Sequence, residues 1–498
     1  MMNELIPLMV IIPIIAALIL NALGRKNSIV KTLSFVVAIL LPLIPIISNY
    51  GFHYFGGHSP LIDNENLLSS LPSLISNVSL STFHIGINYS FEGLQKILLF
   101  FLFIVGFLAI FTAINERKRI SGQYMFLIFM GLSSVTAMLL SDDIFHMYIF
   151  FEIAIISQVG IILSSNDNQK YETAMKYMIL GSIGGPILLT GIGFLLALVG
   201  SVNITDITYM IKNGLIDSYS PVFLFSFGLI FFGWIYSVGL PPFHTIKSAV
   251  YSKATPSGSA LLQALSVVIF ISFGLAILRI YSHLPFVHGI IIFFSLAGMI
   301  LSITMALIET DLRRIIGFLA VGELGYIGLG FGIGTNLSIT AALFQGINEL
   351  IITALLFIGF GAIIQLTKIS NITKLGGLIE NIPKMSIMVL LGGFAMAGVP
   401  PLNGFQSKLM LIQSALNANF PELAIIMILI SIVTFMTFIK IFHAAYLKPK
   451  PKDLIVEKSL VPRSAIFTVG VLLIICIVLG LMPDLVVKEL TTFVGGLI

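Results

Sequence analysis

Five ionisable residues lie inside long apolar runs of this chain: Glu152, Lys176, Glu323, Glu349 and Lys408. A charge at membrane depth is expensive, so such a group marks a functional site by default. Glu152 in IFFEIAIISQVG and Lys176 in ETAMKYMILG fall on adjacent runs. They are expected to pair, each keeping the other charged and exchanging partners with a passing proton. Neither an aromatic cage nor an arginine clamp of organic-solute size accompanies them, so the set suits movement of protons or small cations. The plainer reading is that they are buried ion pairs fixing helix packing. His244 and His443 fall close to the inner interface, where a solvated or packing role is expected. Lys247 and Lys253 are expected to lay their stems along apolar surface and reach the cytoplasmic face. The single cysteine, Cys476, removes disulfides, cysteine-based zinc sites and iron–sulfur ligation within the chain; no metal or cofactor is expected.

The elements that must hold these groups are membrane helices. Of the 498 residues, 57% are hydrophobic and only 10% are charged, against about a quarter charged in a soluble domain. Apolar runs of bilayer length, roughly 20 residues, recur along the whole chain. They predict an all-α polytopic membrane protein of about fourteen spans, near 6–23, 30–48, 95–114, 123–141, 144–164, 172–199, 221–254, 258–282, 287–308, 311–334, 339–365, 384–418, 423–446 and 463–482. The first run lacks a basic flank and a small-residue cleavage site, and reads as a retained span. Spans 7 and 12 are expected to be broken, at GLPPFHTIKSAVYSKATPSGSALL (Gly239, Pro241, Pro242) and at GVPPLNGFQSKLMLIQSAL (Gly398, Pro400, Pro401). Proline cannot donate a backbone hydrogen bond and clashes with the preceding turn. The carbonyls it frees are tolerated at membrane depth only when buried in protein or lining a wet cavity.

Basic residues sort to alternate loops. Arg117, Lys118 and Arg119 stand in one, Arg313 and Arg314 in another, and Lys448, Lys450, Lys452 and Lys458 in a third; the intervening loops carry few. The positive-inside rule makes the basic loops cytoplasmic and leaves both termini outside. The longest outer loop, Ser48 to Gly93, is rich in Asn, Ser and Gly and is expected to pack on the outer surface. No soluble catalytic domain fits anywhere.

Marks in the first half recur in the second. Glu152 is answered by Glu323, Lys176 by Glu349, and Gly239-Leu-Pro-Pro by Gly398-Val-Pro-Pro. The chain thus divides into three N-terminal spans with the outer loop (1–114), a five-helix repeat (115–282), a second repeat (283–446), and a C-terminal cytoplasmic loop with the last span (447–498). An odd number of spans per repeat inverts the second copy. Inverted repeats with paired broken helices are a signature of secondary transporters, with the site near the breaks.

The motifs SDDIFHMYIFFEIAIIS, ETAMKYMILG, GLPPFHTIKSA…ATPSGSALL, DLRRIIGFLAVGELGYIGLG and GVPPLNGFQSKLML, spread over roughly Lys118 to Ala444, resemble a known family. It comprises the antiporter-like subunits of respiratory complex I, of the multi-subunit Mrp sodium/proton antiporters, and of the membrane-bound hydrogenase and sulfane-reductase complexes. The resemblance implies a fourteen-helix subunit in the cell membrane of a prokaryote. It would sit beside other membrane-arm subunits, including homologous antiporter-like ones, in lipid, and carry protons or sodium in half-channels joined by a polar axis. It has no active site of its own; the energy comes from a redox reaction elsewhere or from an opposing ion gradient.

Carried over by motif, Glu152 matches the family's glutamate of the fifth span, Lys176 the lysine of the sixth, and Lys408 the lysine after the break in the twelfth. Five positions depart. Ser237 stands where the family has a lysine before the seventh-span break. Gln263 replaces a His or Lys in the eighth span. Gln345, Glu349 and Thr353 replace a His-x3-His-x3-Lys pattern in the eleventh. Serine, glutamine and threonine can hold water but cannot store a proton near neutral pH, so exchange is expected to run through Lys408, aided by Glu349 and Glu323, with the first repeat blocked or poorly hydrated. Three functions follow: an ion-translocating subunit of a redox-driven or Mrp-type complex, a degenerate scaffold of such a complex, or a stand-alone secondary transporter.

Overall fold

Apolar helices make up nearly all of the structure, a computed structural model that describes residues 6–24, 27–48, 52–55, 88–116, 120–451 and 461–497. In chain order the helices are α1 (Leu8–Leu23), α2 (Asn27–Leu40), α3 (Leu43–Ile47), α4 (Gly93–Glu116), α5 (Gly122–Leu140), α6 (Ile144–Leu163), α7 (Lys170–Val199), α8 (Ile204–Lys212), α9 (Pro221–Val238), α10 (His244–Lys253), α11 (Pro256–Tyr281), α12 (Pro285–Ile308), α13 (Leu312–Ile333), α14 (Asn336–Thr367), α15 (Leu378–Asn381), α16 (Pro383–Ala397), α17 (Asn403–Asn417), α18 (Pro421–Phe442), α19 (Arg463–Leu481) and α20 (Asp484–Leu497). Among the described residues there are 11 helices long and apolar enough to cross a membrane, counting α2 and α3 as one; α1, α9 and α16 are shorter apolar helices. Two short strands, β1 (Phe52–Phe55) and β2 (Asn88–Phe91), pair antiparallel with Phe52 opposite Phe91. They bracket the Ser48–Gly93 loop, most of which lies outside the described residues, as do Arg117–Arg119, Lys452 and Lys458.

Burial ranks the helices. The most apolar stretches of α11 and α13 are 100% buried and that of α14 is 89% buried, whereas those of α7 and α12 reach only 39%. Helix α14 is the axis: it packs against α4, α11, α13, α16, α17, α19 and α20. A helix enclosed in this way, apolar on every side, can carry a polar residue only if protein partners satisfy it.

Two helices stop in the same manner. Helix α9 ends at Gly239 with φ +79°, and Leu240 N–H bonds back to Ile235 O at 3.0 Å. Helix α16 ends at Gly398 with φ +80°, and Val399 N–H bonds back to Phe394 O at 2.9 Å. Glycine is needed at both because a side chain resists this left-handed backbone. The Pro-Pro bond that follows is cis in each case, and the chain resumes as α10 at His244 and as α17 at Asn403.

A further likeness lies in two backbone staples. Ile144 N–H bonds to Val202 O and Ile204 N–H to Asp142 O, tying the start of α6 to the segment after α7. Leu312 N–H bonds to Ser370 O and Ile372 N–H to Thr310 O, tying the start of α13 to the segment after α14. Every residue of the second staple stands 168 positions after its counterpart. Asp143 and Asp311 cap the two helices by accepting from backbone N–H groups of the first turn. Among the elements the sequence reading missed are the helix α8 and the C-terminal α20, which packs on α4 and α14.

Candidate ion-translocation site

The break at Gly398 builds the site. Met396 O would bond the N–H of residue 400 in an unbroken helix, but Pro400 has none to give. Lys408, one limb further on, donates to that carbonyl from Nζ at 2.6 Å. The same amine donates to Glu323 Oε1 of α13 at 2.8 Å, and lies 4.4 Å from the centre of the Tyr326 ring. The pair is nearly dry, with side-chain exposures of 4% for Lys408 and 3% for Glu323. Low dielectric strengthens such a contact, but each ion must be satisfied to persist there.

Polar side chains extend the pair along α14. Gln345 Nε2 donates to Glu323 Oε2 at 2.9 Å, and Ser407 Oγ donates to Gln345 Oε1 at 2.6 Å. Asn348 Nδ2 donates to Ser407 Oγ at 2.9 Å, while Asn403 Nδ2 donates to Asn348 Oδ1 at 2.9 Å. One turn along from Gln345, Glu349 is buried and accepts from Gln263 Nε2 of α11 at 3.2 Å. Thr353 turns its hydroxyl back to the Glu349 carbonyl, so it closes its own helix. Lys408, Glu323, Glu349, Gln345 and Gln263 therefore share one neighbourhood; the partnership of Lys408 with Glu323 was not read from the sequence.

The expected Glu152–Lys176 pair does not form. Lys176 donates to Glu172 one turn away on the outside of α7, with side-chain exposures of 63% and 58%. Helix geometry explains this. The inward face of α7 is Tyr177, Gly181, Gly184 and Gly185, and Lys176, next to Tyr177, points about 100° away. Glu152 lies against that glycine face: a Cβ at Gly185 would meet Glu152 Oε1 at 2.0 Å. That oxygen has no hydrogen-bond partner among the described residues, and the carboxylate interacts with Tyr148.

Lys247 also departs from expectation. It does not reach the interface; it is 1% exposed, and Nζ donates to Tyr177 OH at 2.9 Å, Ser266 Oγ at 3.0 Å and Gln158 Oε1 at 3.2 Å. Ser237, whose hydroxyl closes on Trp234 O at 2.6 Å, thus does not leave the first half without a buried amine. Lys253 is mostly buried, its Nζ 3.7 Å from Asp167 Oδ1. His244 is half-buried and His443 exposed, neither touching the Lys408 group. A cavity of about 630 Å³ lies elsewhere, walled by the Asp142–Arg279 ion pair, Thr205, Lys212, His288 and Ser272.

Residues 141–437 match the family described as NADH:quinone oxidoreductase/Mrp antiporter, TM. An uncharacterized protein of Methanocaldococcus jannaschii is 36% identical over 98% of this chain and 97% of its own length. A Na(+)/H(+) antiporter component of Alkalihalophilus pseudofirmus is 26% identical over 69% of this chain and 70% of its own length. A chain in the structure of the Mrp complex from Dietzia sp. DQ12-45-1b superposes with a TM-score of 0.85 at 18% identity, covering 100% of this chain and 98% of that one, which is a likeness of fold. These matches show that the chain belongs to the NADH:quinone oxidoreductase/Mrp antiporter transmembrane family and is an antiporter-like subunit of the Mrp or complex I type.

Proposed function

We propose that this chain translocates protons, or sodium, as one subunit of a multi-subunit membrane complex, and that Lys408 and Glu323 hold the moving charge. The observation that carries this is the dry Lys408–Glu323 pair seated on the carbonyl freed by Pro400 and continued by Gln345, Ser407 and Asn348. An amine that can change partners among an acid, a carbonyl and hydroxyls can act as a switch; an inert scaffold has no need of one. Glu349 extends the path, and Glu152 and Lys176 serve at the flank of the first half. Lys176 and Glu172, exposed on a helix rich in outward Met and Ile, suit contact with a neighbouring subunit better than lipid.

The architecture we infer has fourteen crossings, with α9/α10 and α16/α17 as single broken spans. Repeats of five spans run within 115–282 and 283–446, between the N-terminal part (1–114) and the last (447–498). The two staples support the inversion: five crossings separate Ile144 from Leu312, so like ends of the two repeats lie on opposite sides. Both termini face outward in a prokaryotic plasma membrane. The full-length likeness to a chain of an Mrp complex argues against a stand-alone transporter. The test is Lys408→Ala in the whole complex, read in sealed vesicles by a pH-sensitive dye and by radioactive sodium uptake. Loss of either flux with the complex intact supports the reading; unchanged fluxes for Lys408→Ala and Glu323→Gln together sink it.

A further inference from the structure

Among the described residues two lysines are buried to the point of dryness, and only one of them has a carboxylate. Lys408 has Glu323. Lys247, equally enclosed, is held by three neutral oxygens, those of Tyr177, Ser266 and Gln158. No ion pair to Lys247 occurs among the described residues at 4.0 Å or less. Their placement is nonetheless alike. Each follows a helix break and folds back over its left-handed glycine: a Cβ at Gly239 would meet Lys247 Cγ at 2.4 Å, and one at Gly398 would meet Lys408 Cδ at 3.1 Å. Each ammonium also stands over a tyrosine ring, at 4.8 Å for Lys247 on Tyr177 and 4.4 Å for Lys408 on Tyr326. Lys247 lies eight residues after its glycine and Lys408 ten after its own, so sequence alignment does not bring them together; the fold does.

An ammonium buried without a counter-charge is costly, whereas a neutral amine with hydrogen-bond partners is not. Lys247 is therefore placed to stand without its proton and accept one in passing. The way onward is marked by unpartnered atoms. Gln158 Nε2, Tyr251 OH, Gln263 Oε1 and Glu349 Oε2 are all buried and lack a hydrogen-bond partner among the described residues. Ser266, which holds Lys247, and Gln263, which holds Glu349, stand one turn apart on α11. The Tyr251 ring lies on the same side, its centre 6.0 Å from Lys247 Nζ. Buried polar atoms left open in one region are where ordered water belongs.

We propose that Lys247 is a second proton-carrying amine of this subunit, the spatial counterpart of Lys408, exchanging its proton with Glu349 by way of Ser266, Tyr251 and intervening water. In the step, an N–H bond of the Lys247 ammonium breaks as an O–H bond forms on a relay oxygen. The relay passes a proton on, and an O–H bond forms at Glu349 Oε2. A neutral amine and a carboxylic acid replace an ammonium and a carboxylate, and no electron is transferred. This rests on the proposed translocating function, and the two can fail separately.

The experiment compares Lys247→Met, Lys247→Arg and Lys408→Met in the whole complex, with proton uptake followed by a dye in sealed vesicles and assembly by gel filtration. Arginine keeps the positive charge but does not release a proton near neutral pH. A proton carrier predicts that both Lys247 variants lose at least tenfold in proton flux. Flux within twofold of wild type in Lys247→Arg marks a fixed charge and overturns the proposal. If Lys408→Met also leaves flux unchanged, the translocating function itself fails; if Lys408→Met abolishes flux and the Lys247 variants do not, only the Lys247 role fails. Should the Lys247 variants not assemble, Ser266→Ala decides: a fivefold or larger fall in flux in the assembled complex supports the relay, and unchanged flux overturns it.

Discussion

The Lys408–Glu323 pair lends itself to a double-mutant cycle with Lys408→Met, Glu323→Gln and the two together. Both side chains are almost wholly enclosed and meet at 2.8 Å. Breaking one side of such a pair costs about 3–5 kcal/mol, because the surviving ion is left buried. Here each survivor keeps some company. Glu323 retains Gln345, and Lys408 retains the Met396 carbonyl and the Tyr326 ring. The lower end, about 3 kcal/mol, is the fitting estimate for either single change. Replacing both ions removes the uncompensated charge, so the double variant should lose no more than either single, giving a coupling energy of about 3 kcal/mol or slightly more. At roughly 2 °C per kcal/mol, each single variant should lower the thermal midpoint of the solubilised complex by about 6 °C. The double should be no worse than either single, while all three stop ion flux. A double variant that loses as much as the singles combined would show that the two ions do not depend on each other, and full flux in Glu323→Gln would remove Glu323 from the path.

Three further outcomes are expected. Gly239→Ala and Gly398→Ala should each lose about 1–2 kcal/mol from the left-handed backbone; Gly239→Ala should lose more flux, since its Cβ would strike Lys247 Cγ at 2.4 Å whereas the other would stand 3.1 Å from Lys408 Cδ, and equal flux in the two would contradict this. Asp143→Ala and Asp311→Ala should each destabilise by about 1 kcal/mol through loss of a helix cap, measured as a fall in thermal midpoint, with no change of midpoint counting against the caps. Ser121→Cys, at an exposed N-cap beside the Arg117–Arg119 loop, should react with a membrane-impermeant maleimide only after cells are opened; labelling of intact cells would reverse the orientation.

Much of the scaffold was legible because long apolar runs, prolines and glycines act locally. Pro241 and Pro400 announce their breaks without any knowledge of neighbours. The partners were not legible, because they depend on which side of a helix faces inward. Lys176 and Tyr177 are adjacent in sequence, yet one is exposed and the other carries the Lys247 contact. In an apolar, nearly featureless helix such as α7 the sequence offers little to choose the inward face, apart from the Gly181, Gly184 and Gly185 stripe, and that stripe was the missed signal. Lys247 was misplaced for the opposite reason. Its short helix, HTIKSAVYSK, is polar enough to resemble an interface, but the break turns the lysine back over Gly239 into the core. The Lys408–Glu323 contact joins residues 85 positions apart, beyond any local pattern.

The departure at Ser237 takes on a different meaning once Lys247 is in view. Two sites are alike in place: a helix that ends at a left-handed glycine, a lysine folded over that glycine and a tyrosine ring beneath. Two identical sites would hold a proton equally, and a proton between them would have no preferred resting place. The side chains remove that equivalence. Glu323 gives Lys408 a counter-charge at 2.8 Å, while Tyr177, Ser266 and Gln158 can bond Lys247 but bring none. Glu349 lies on the central helix between the two groups, bound through a single donor from Gln263 and with one oxygen open. On the proposed function, the sequence differences between the halves are what make a proton prefer one lysine to the other, and a push from a neighbouring subunit need only alter that preference to move it. Installing a carboxylate beside Lys247, by Gln158→Glu, should then slow proton flux by holding the charge in the first half, although it adds a titratable group to the path. Faster flux in Gln158→Glu would show that the shortage of acid at Lys247 limits the subunit, and the argument from unequal sites would fall.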